Sequence, residues 1–380
     1  MSQASGGTSK APVFMHIGMP KTGTSLLQGL LAANERGLRK AGVATPGPFL
    51  LHHRAASELN EIKGPREDAV PEGKWDEVLA QIDKASGPAF FSNERYSRLR
   101  RDPADRVIRD IAALGRDLHI VISVRDLAAA EYSRWQEDIK NGNTLTFFDA
   151  AEKAVANREW LQTKQRVRHT FGVWSERLPA DRIHIVTVPP SGTPRDVLPG
   201  RFADVVGVDP AVLTKKPPQR MNASLDPVGT ELVRRLNGLT DGMDVFTQRA
   251  EIKLYLGSGG ALSRDTSVPV PSPWGAYYDA CREESAWLAG FIAEQGFPVH
   301  GDLADLDVVP RQEEGPAPVT DTQVLEKALE AVVLLAGRSY ERREALEAAE
   351  RDEAVDRDAR MPKRIAQAVR REATRYRGKG

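Results

Sequence analysis

Val13-Phe14-Met15-His16-Ile17-Gly18-Met19-Pro20-Lys21-Thr22-Gly23-Thr24-Ser25 is the stretch on which the fold turns. An apolar run ends at Gly18, a loop with Pro20, Lys21 and Gly23 follows, and Thr24-Ser25 opens a helical pattern with Leu26, Leu27, Leu30 and Leu31 along one side. The order predicts strand, phosphate-type loop, helix. Backbone N–H groups at such a helix start, with the positive end of its dipole, point at a bound anion. Thr22, Thr24 and Ser25 add hydroxyl donors and Lys21 adds a full charge. Gly18 and Gly23 have the separation of the G-x-x-x-x-G-K-[ST] motif, but Thr24 stands where that motif has its lysine. The charge comes earlier, at Lys21, so a magnesium–nucleotide loop is not the first expectation.

Outward from this stretch, strand and helix patterns alternate. Ala89–Ser92 reads as a buried strand that runs into Asn93-Glu94, and Leu118–Val124 is an apolar strand that delivers Arg125-Asp126. Arg182–Val188 is a further strand, and Gly42–Pro46 reads as a short one. Helices are expected at Thr24–Ala41, Phe49–Leu59, Lys74–Ala85, Pro103–Leu114 (with Asp102 as N-cap), Leu127–Lys140, Thr146–Ala156, Trp160–Leu178 and Asp226–Leu239, and within Thr193–Lys216 and Asp241–Phe297. This alternation predicts an α/β fold, a parallel sheet flanked by helices in a three-layer sandwich. Ligands of such sheets bind outside the carboxyl ends of the strands. Lys21, Glu94 and Arg125 each follow a strand, so they are expected to meet on one edge of the sheet.

The order along the chain is a disordered N-terminus at 1–10, a globular domain at 11–310, a Pro/Gly/Glu-rich linker at 311–319 and a helical C-terminal extension at 320–380. Fifty-three basic residues balance fifty-three acidic ones, which argues against nucleic acid as a partner. Cys281 is the only cysteine, so no internal disulfide or cysteine-rich metal site can form. No stretch reads as a signal peptide or membrane span. A reducing, cytoplasmic location is the expectation. No metal-ligand spacing stands out among the seven histidines.

The second chemistry-bearing motif is Val124-Arg125-Asp126 at a strand end, with Ser133 eight residues beyond Arg125 in the next helix. Arginine offers a planar fork for a phosphate, and serine a short neutral donor. Taken with Pro20-Lys21-Thr22-Gly23-Thr24-Ser25, this pattern resembles the sulfotransferases that use 3′-phosphoadenosine 5′-phosphosulfate (PAPS), over residues 11–309. Leu127, Ala130 and Trp135 depart from that family's usual proline, arginine and tyrosine.

The resemblance implies transfer of a sulfuryl group from PAPS to a hydroxyl, less readily an amine, of a glycan, lipid or small-molecule acceptor. It implies that Lys21, Thr22, Gly23, Thr24 and Ser25 hold the 5′-phosphosulfate and that Arg125 and Ser133 hold the 3′-phosphate. Glu94 is the expected general base, with His52 and His53 as competitors, and no metal is required. Arg220–Ser224 falls where the family folds a late segment over the nucleotide. Alternatives are a P-loop kinase of a small metabolite, or a non-catalytic nucleotide-binding or interaction protein that uses the C-terminal helix, which is also the expected route to a homo-oligomer. The Ala/Arg/Asp-rich composition suggests a bacterial source.

Overall fold

In a computed structural model, the description covers residues 10–19, 21–63, 69–157, 162–215, 225–240, 256, 268, 275–309 and 319–360; for 154, 157, 162–165 and 349–360 it covers the backbone alone. The chain divides into two units, Met1–Val319 and Thr320–Gly380. The first is built on a five-stranded, all-parallel sheet: β1 (Lys10–Gly18), β2 (Ala89–Ser92), β3 (Arg116–Val124), β4 (Ile183–Thr187) and β5 (Val299–His300), in the spatial order β2-β1-β3-β4-β5.

The strands are near-continuous apolar runs because both faces of the sheet are covered. On one face Met15, Ile17, Phe91 and Ile122 pack with Ala55 of α2 (Phe49–Leu59), Trp75 of α3 (Lys74–Asp83), Val107 of α4 (Arg101–Ala113) and Phe171. Phe171 belongs to the helix Gln162–Ser175. On the other face Phe14, Phe90, Val121 and Val186 pack with Leu27 and Leu38 of the helix Thr24–Lys40 and with Phe202 of the helix Val197–Val206. In chain order the helices of the described residues are α1 (Thr24–Lys40), α2, α3, α4, α5 (Leu127–Lys140), α6 (Phe147–Asn157), α7 (Gln162–Ser175), α8 (Val197–Val206), α9 (Pro227–Leu239), α10 (Gly275–Gln295) and α11 (Asp321–Arg360). The expected three-layer α/β architecture is therefore present, and the described residues of the second unit form one long helix, α11.

Details differ from the sequence reading. Gly42–Pro46 is not a strand; its backbone joins the sheet at a single bridge between Ala44 and Ala89, and Val43 is buried in the same cluster as Phe90. Asp102 sits in the first turn of α4, and the N-cap is Arg100, without a side-chain cap. Asp226 does cap α9, accepting from the Gly229 amide at 2.6 Å, with Pro227 at the first position. The two-residue strand β5 carries no sequence pattern that announces it. The readings at 1–9, at Pro20, at 160–161 (the start of the expected helix Trp160–Leu178), and at 216–224, 241–255, most of 257–274, 310–318 and 361–380 fall on residues outside the description.

The strand order places a topological switch between β1 and β3, because the connection from β1 to β2 runs one way and the chain then crosses back to β3. A ligand crevice lies outside the carboxyl ends of the strands at such a switch. In this chain those ends carry the loop after Gly18 and the segment Arg125-Asp126.

Candidate functional site

The loop after β1 has the backbone of an anion cradle. Lys21 and Gly23 lie in the left-handed region, at φ 64° and 84°. For Lys21, which has a Cβ, that conformation costs about 1–2 kcal/mol and needs surrounding contacts to hold it. Three contacts do so. Thr22 Oγ1 donates to the Met19 carbonyl at 2.7 Å, Arg125 Nη1 donates to the Lys21 carbonyl at 3.0 Å, and Lys21 Nζ pairs with Glu137 at 2.9 Å. Helix α1 then starts from Gly23, which has no side chain to cap it. Its first backbone bond runs from the Leu27 amide to the Gly23 carbonyl at 3.0 Å. The amides of Thr24, Ser25 and Leu26 precede that bond and have no acceptor within the helix.

Thr24 Oγ1 is buried without a hydrogen-bond partner among the described residues. It lies directly against Gly18: a Cβ built on Gly18 would stand 1.7 Å from it. Only glycine lets the end of β1 approach the helix start so closely.

Beneath the loop a buried polar chain crosses the sheet. His16, fully buried in β1, has Nδ1 2.8 Å from Ser92 Oγ in β2 and Nε2 3.1 Å from Ser123 Oγ in β3. Ser123 Oγ is in turn 2.6 Å from Thr22 Oγ1. Because Thr22 gives its hydrogen to the Met19 carbonyl, one direction of donation satisfies the row: Ser92 to His16, His16 to Ser123, Ser123 to Thr22. In that arrangement His16 is neutral, with its hydrogen on Nε2. Burial pushes its pKa down to about 3, consistent with the neutral form.

Helix α5 brings the β3 residues to the same edge. Asp126 caps it by accepting from the Ala129 amide at 2.8 Å. Ser133 is half-buried, and Glu137, which holds Lys21, lies one turn further on the same face of the helix. Lys21, Arg125 and Ser133 are thus brought together on one edge. Glu137 is a residue the sequence reading did not single out; its four-residue spacing from Ser133 is the signal that could have found it.

Glu94 follows β2 on the same edge and opens the 3-10 turn Glu94–Arg98, its side chain exposed. Asn93 Oδ1 caps that turn through the Arg95 amide at 2.9 Å, while Asn93 Nδ2 is buried without a partner among the described residues. Two competitors for the base differ in setting. His52 is buried, with Nε2 2.8 Å from the Pro46 carbonyl, and burial lowers its pKa. His53 packs its ring 5.8 Å from Phe49. Arg220–Ser224 lies outside the described residues.

In chemical terms the edge combines helix-start amides, hydroxyls, the Lys21 ammonium, the Arg125 guanidinium and the exposed Glu94 carboxylate. These are the parts needed to bind a phosphorylated ligand and to take a proton beside it. Compared with known proteins, the chain matches no family model, no curated protein and no solved structure.

Proposed function

We propose that the chain is a sulfotransferase that moves the sulfuryl group of PAPS to the hydroxyl of an acceptor. One observation carries the reading: the left-handed Lys21–Gly23 loop, with the unpartnered Thr24 hydroxyl, meets Arg125 and the Ser133 face of α5 at the switch point of the sheet. In this reading the amides from Thr22 to Ser25 and the Thr24 hydroxyl bind the 5′-phosphate. Arg125 and Ser133 bind the 3′-phosphate, which ATP lacks. Glu94 takes the proton of the acceptor hydroxyl as its oxygen bonds to sulfur. The bond from sulfur to the bridging oxygen breaks, and 3′-phosphoadenosine 5′-phosphate (PAP) leaves with that electron pair. Lys21 balances charge on the departing oxygen, so the work is positioning and electrostatics.

The test is calorimetric titration with PAP beside ADP and magnesium-ATP. PAP binding that weakens on Arg125→Ala supports the reading; a charge-assisted contact is worth about 1.5–3 kcal/mol, roughly 10- to 100-fold. Binding of magnesium-ATP without PAP favours the kinase instead.

For the second unit we infer association through α11. Leu325, Leu329 and Val332 are exposed at spacings of four and three, the 3.5-residue seam along which helices pair.

A further inference from the structure

The corner beside Glu94 gathers two arginines that form no ion pair among the described residues. Arg98 closes the 3-10 turn that Glu94 opens, and both side chains are exposed. Arg166 approaches from α7. That helix is fixed against the turn by two hydrogen bonds: Thr170 Oγ1 donates to the Ser97 carbonyl at 3.1 Å, and His169 Nε2 donates to the Leu99 carbonyl at 2.9 Å. Arg166 lies one helical turn before Thr170, on the same face. The charges of Arg98, Glu94 and Arg134 all act on its guanidinium, which partial burial, and next the repulsion of Arg98, make less basic than usual. Arg134 is occupied by Glu131 at 2.9 Å and Asp138 at 2.6 Å. Among the described residues neither Arg98 nor Arg166 makes an ion pair or a side-chain hydrogen bond.

Two guanidiniums and one carboxylate thus lie within electrostatic reach of one another, and one of the guanidiniums, that of Arg166, is half-buried. Holding like charges together out of water is unfavourable, and an oxyanion placed between them relieves that cost through charge-assisted, bidentate bonds. Arginine suits a carboxylate or sulfate because its fork matches two oxygens. We propose that Arg98 and Arg166 form a subsite for an oxyanion carried by the acceptor, next to the hydroxyl that Glu94 deprotonates. The acceptor is then an acidic sugar, or a comparable hydroxyl compound bearing a carboxylate or sulfate. The proposal rests on the sulfotransferase reading, because that reading gives Glu94 its role.

The experiment is arginine labelling of the full chain with phenylglyoxal, read residue by residue by peptide mass spectrometry, with and without PAP. The probes are glucuronate, glucose 6-sulfate and glucose, with ionic strength held constant by chloride. The expected result is that a charged sugar slows labelling at both Arg98 and Arg166 several-fold, and that glucose does not. The charged sugar that protects more strongly identifies the anion. Arg101, exposed and paired with Glu176 at 2.9 Å, should label at the same rate throughout. In Arg98→Gln, protection of Arg166 should disappear, because the two side chains act on one anion.

Unchanged labelling with every sugar, equal slowing at Arg101, or full protection of Arg166 in Arg98→Gln overturns the subsite. The PAP titration is read separately. PAP binding without protection keeps the transferase and removes the subsite. Selective protection without PAP binding keeps the anion site and removes the transferase.

Discussion

His16 should make the sheet acid-sensitive. It is fully buried between Ser92 and Ser123, and its pKa falls from an ordinary 6.5 to about 3 because burial penalises the charged ring. Above pH 6.5 the ring is neutral in the folded and the unfolded chain, so its titration costs nothing. Between pH 6.5 and 3 the unfolded chain binds a proton that the folded one refuses, and stability falls with each step of acidification. At 1.36 kcal/mol per pH unit, the loss between pH 7 and pH 4 is about 3 kcal/mol.

Burial also lowers the pKa of His52, His119 and His184, so the wild-type protein alone would not isolate the effect. The comparison is with His16→Gln, whose amide can donate and accept but cannot titrate. Urea unfolding followed by tryptophan fluorescence at pH 7, 6, 5 and 4 gives the two dependences. The variant should start less stable at pH 7 by about 1–3 kcal/mol, the range for a disturbed buried polar contact. It should then lose about 3 kcal/mol less than wild type on going to pH 4. Parallel curves for the two proteins would refute the assignment of a buried, neutral His16.

Four further outcomes are expected. Gly18→Ala should cost about 1–3 kcal/mol in thermal stability and abolish PAP binding, since its Cβ would stand 1.7 Å from Thr24 Oγ1; unchanged affinity would remove Thr24 from the cradle. Lys21→Ala and Glu94→Gln should each lower sulfuryl transfer from labelled PAPS by about 10²-fold or more, and near-normal turnover would excuse the residue concerned. Glu137→Gln should tighten PAP, because it releases Lys21 from a 2.9 Å pair worth about 0.2–1 kcal/mol, which is up to about fivefold; weaker binding would mean that Glu137 orients the lysine rather than competes for it. Leu329→Lys with Val332→Lys should reduce the mass found by light scattering if α11 pairs, whereas a wild-type monomer would end that inference.

What was legible in the sequence was local. β1, β3 and the turn from β1 into α1 could be read because a buried parallel strand is an apolar run, and because glycine and hydroxyl residues after such a run mark a helix start. Asp226 and Pro227 marked a helix start for the same reason: a cap works within three residues of itself. Gly42–Pro46 has a pattern that suits a strand, yet it pairs with β2 through one bridge, at Ala44, which is too short a ladder for a strand.

The remainder of the site depends on which strands are neighbours, and that is decided by packing across the whole chain. His16 sits in an apolar run as an unexplained polar residue. Its partners Ser92 and Ser123 are 76 and 107 residues away. Once β1 lies between β2 and β3, those two serines are the residues flanking it: Ser92 pairs with His16 and Ser123 with Gly18. The same adjacency brings Arg125 to the Lys21 carbonyl and lines up the ends of three strands. One topological fact, β1 between β2 and β3, therefore accounts for both the buried histidine and the convergence of Lys21, Arg125 and Glu94. That is why a change at His16, beneath the loop, should be felt at the loop itself through Ser123 and Thr22.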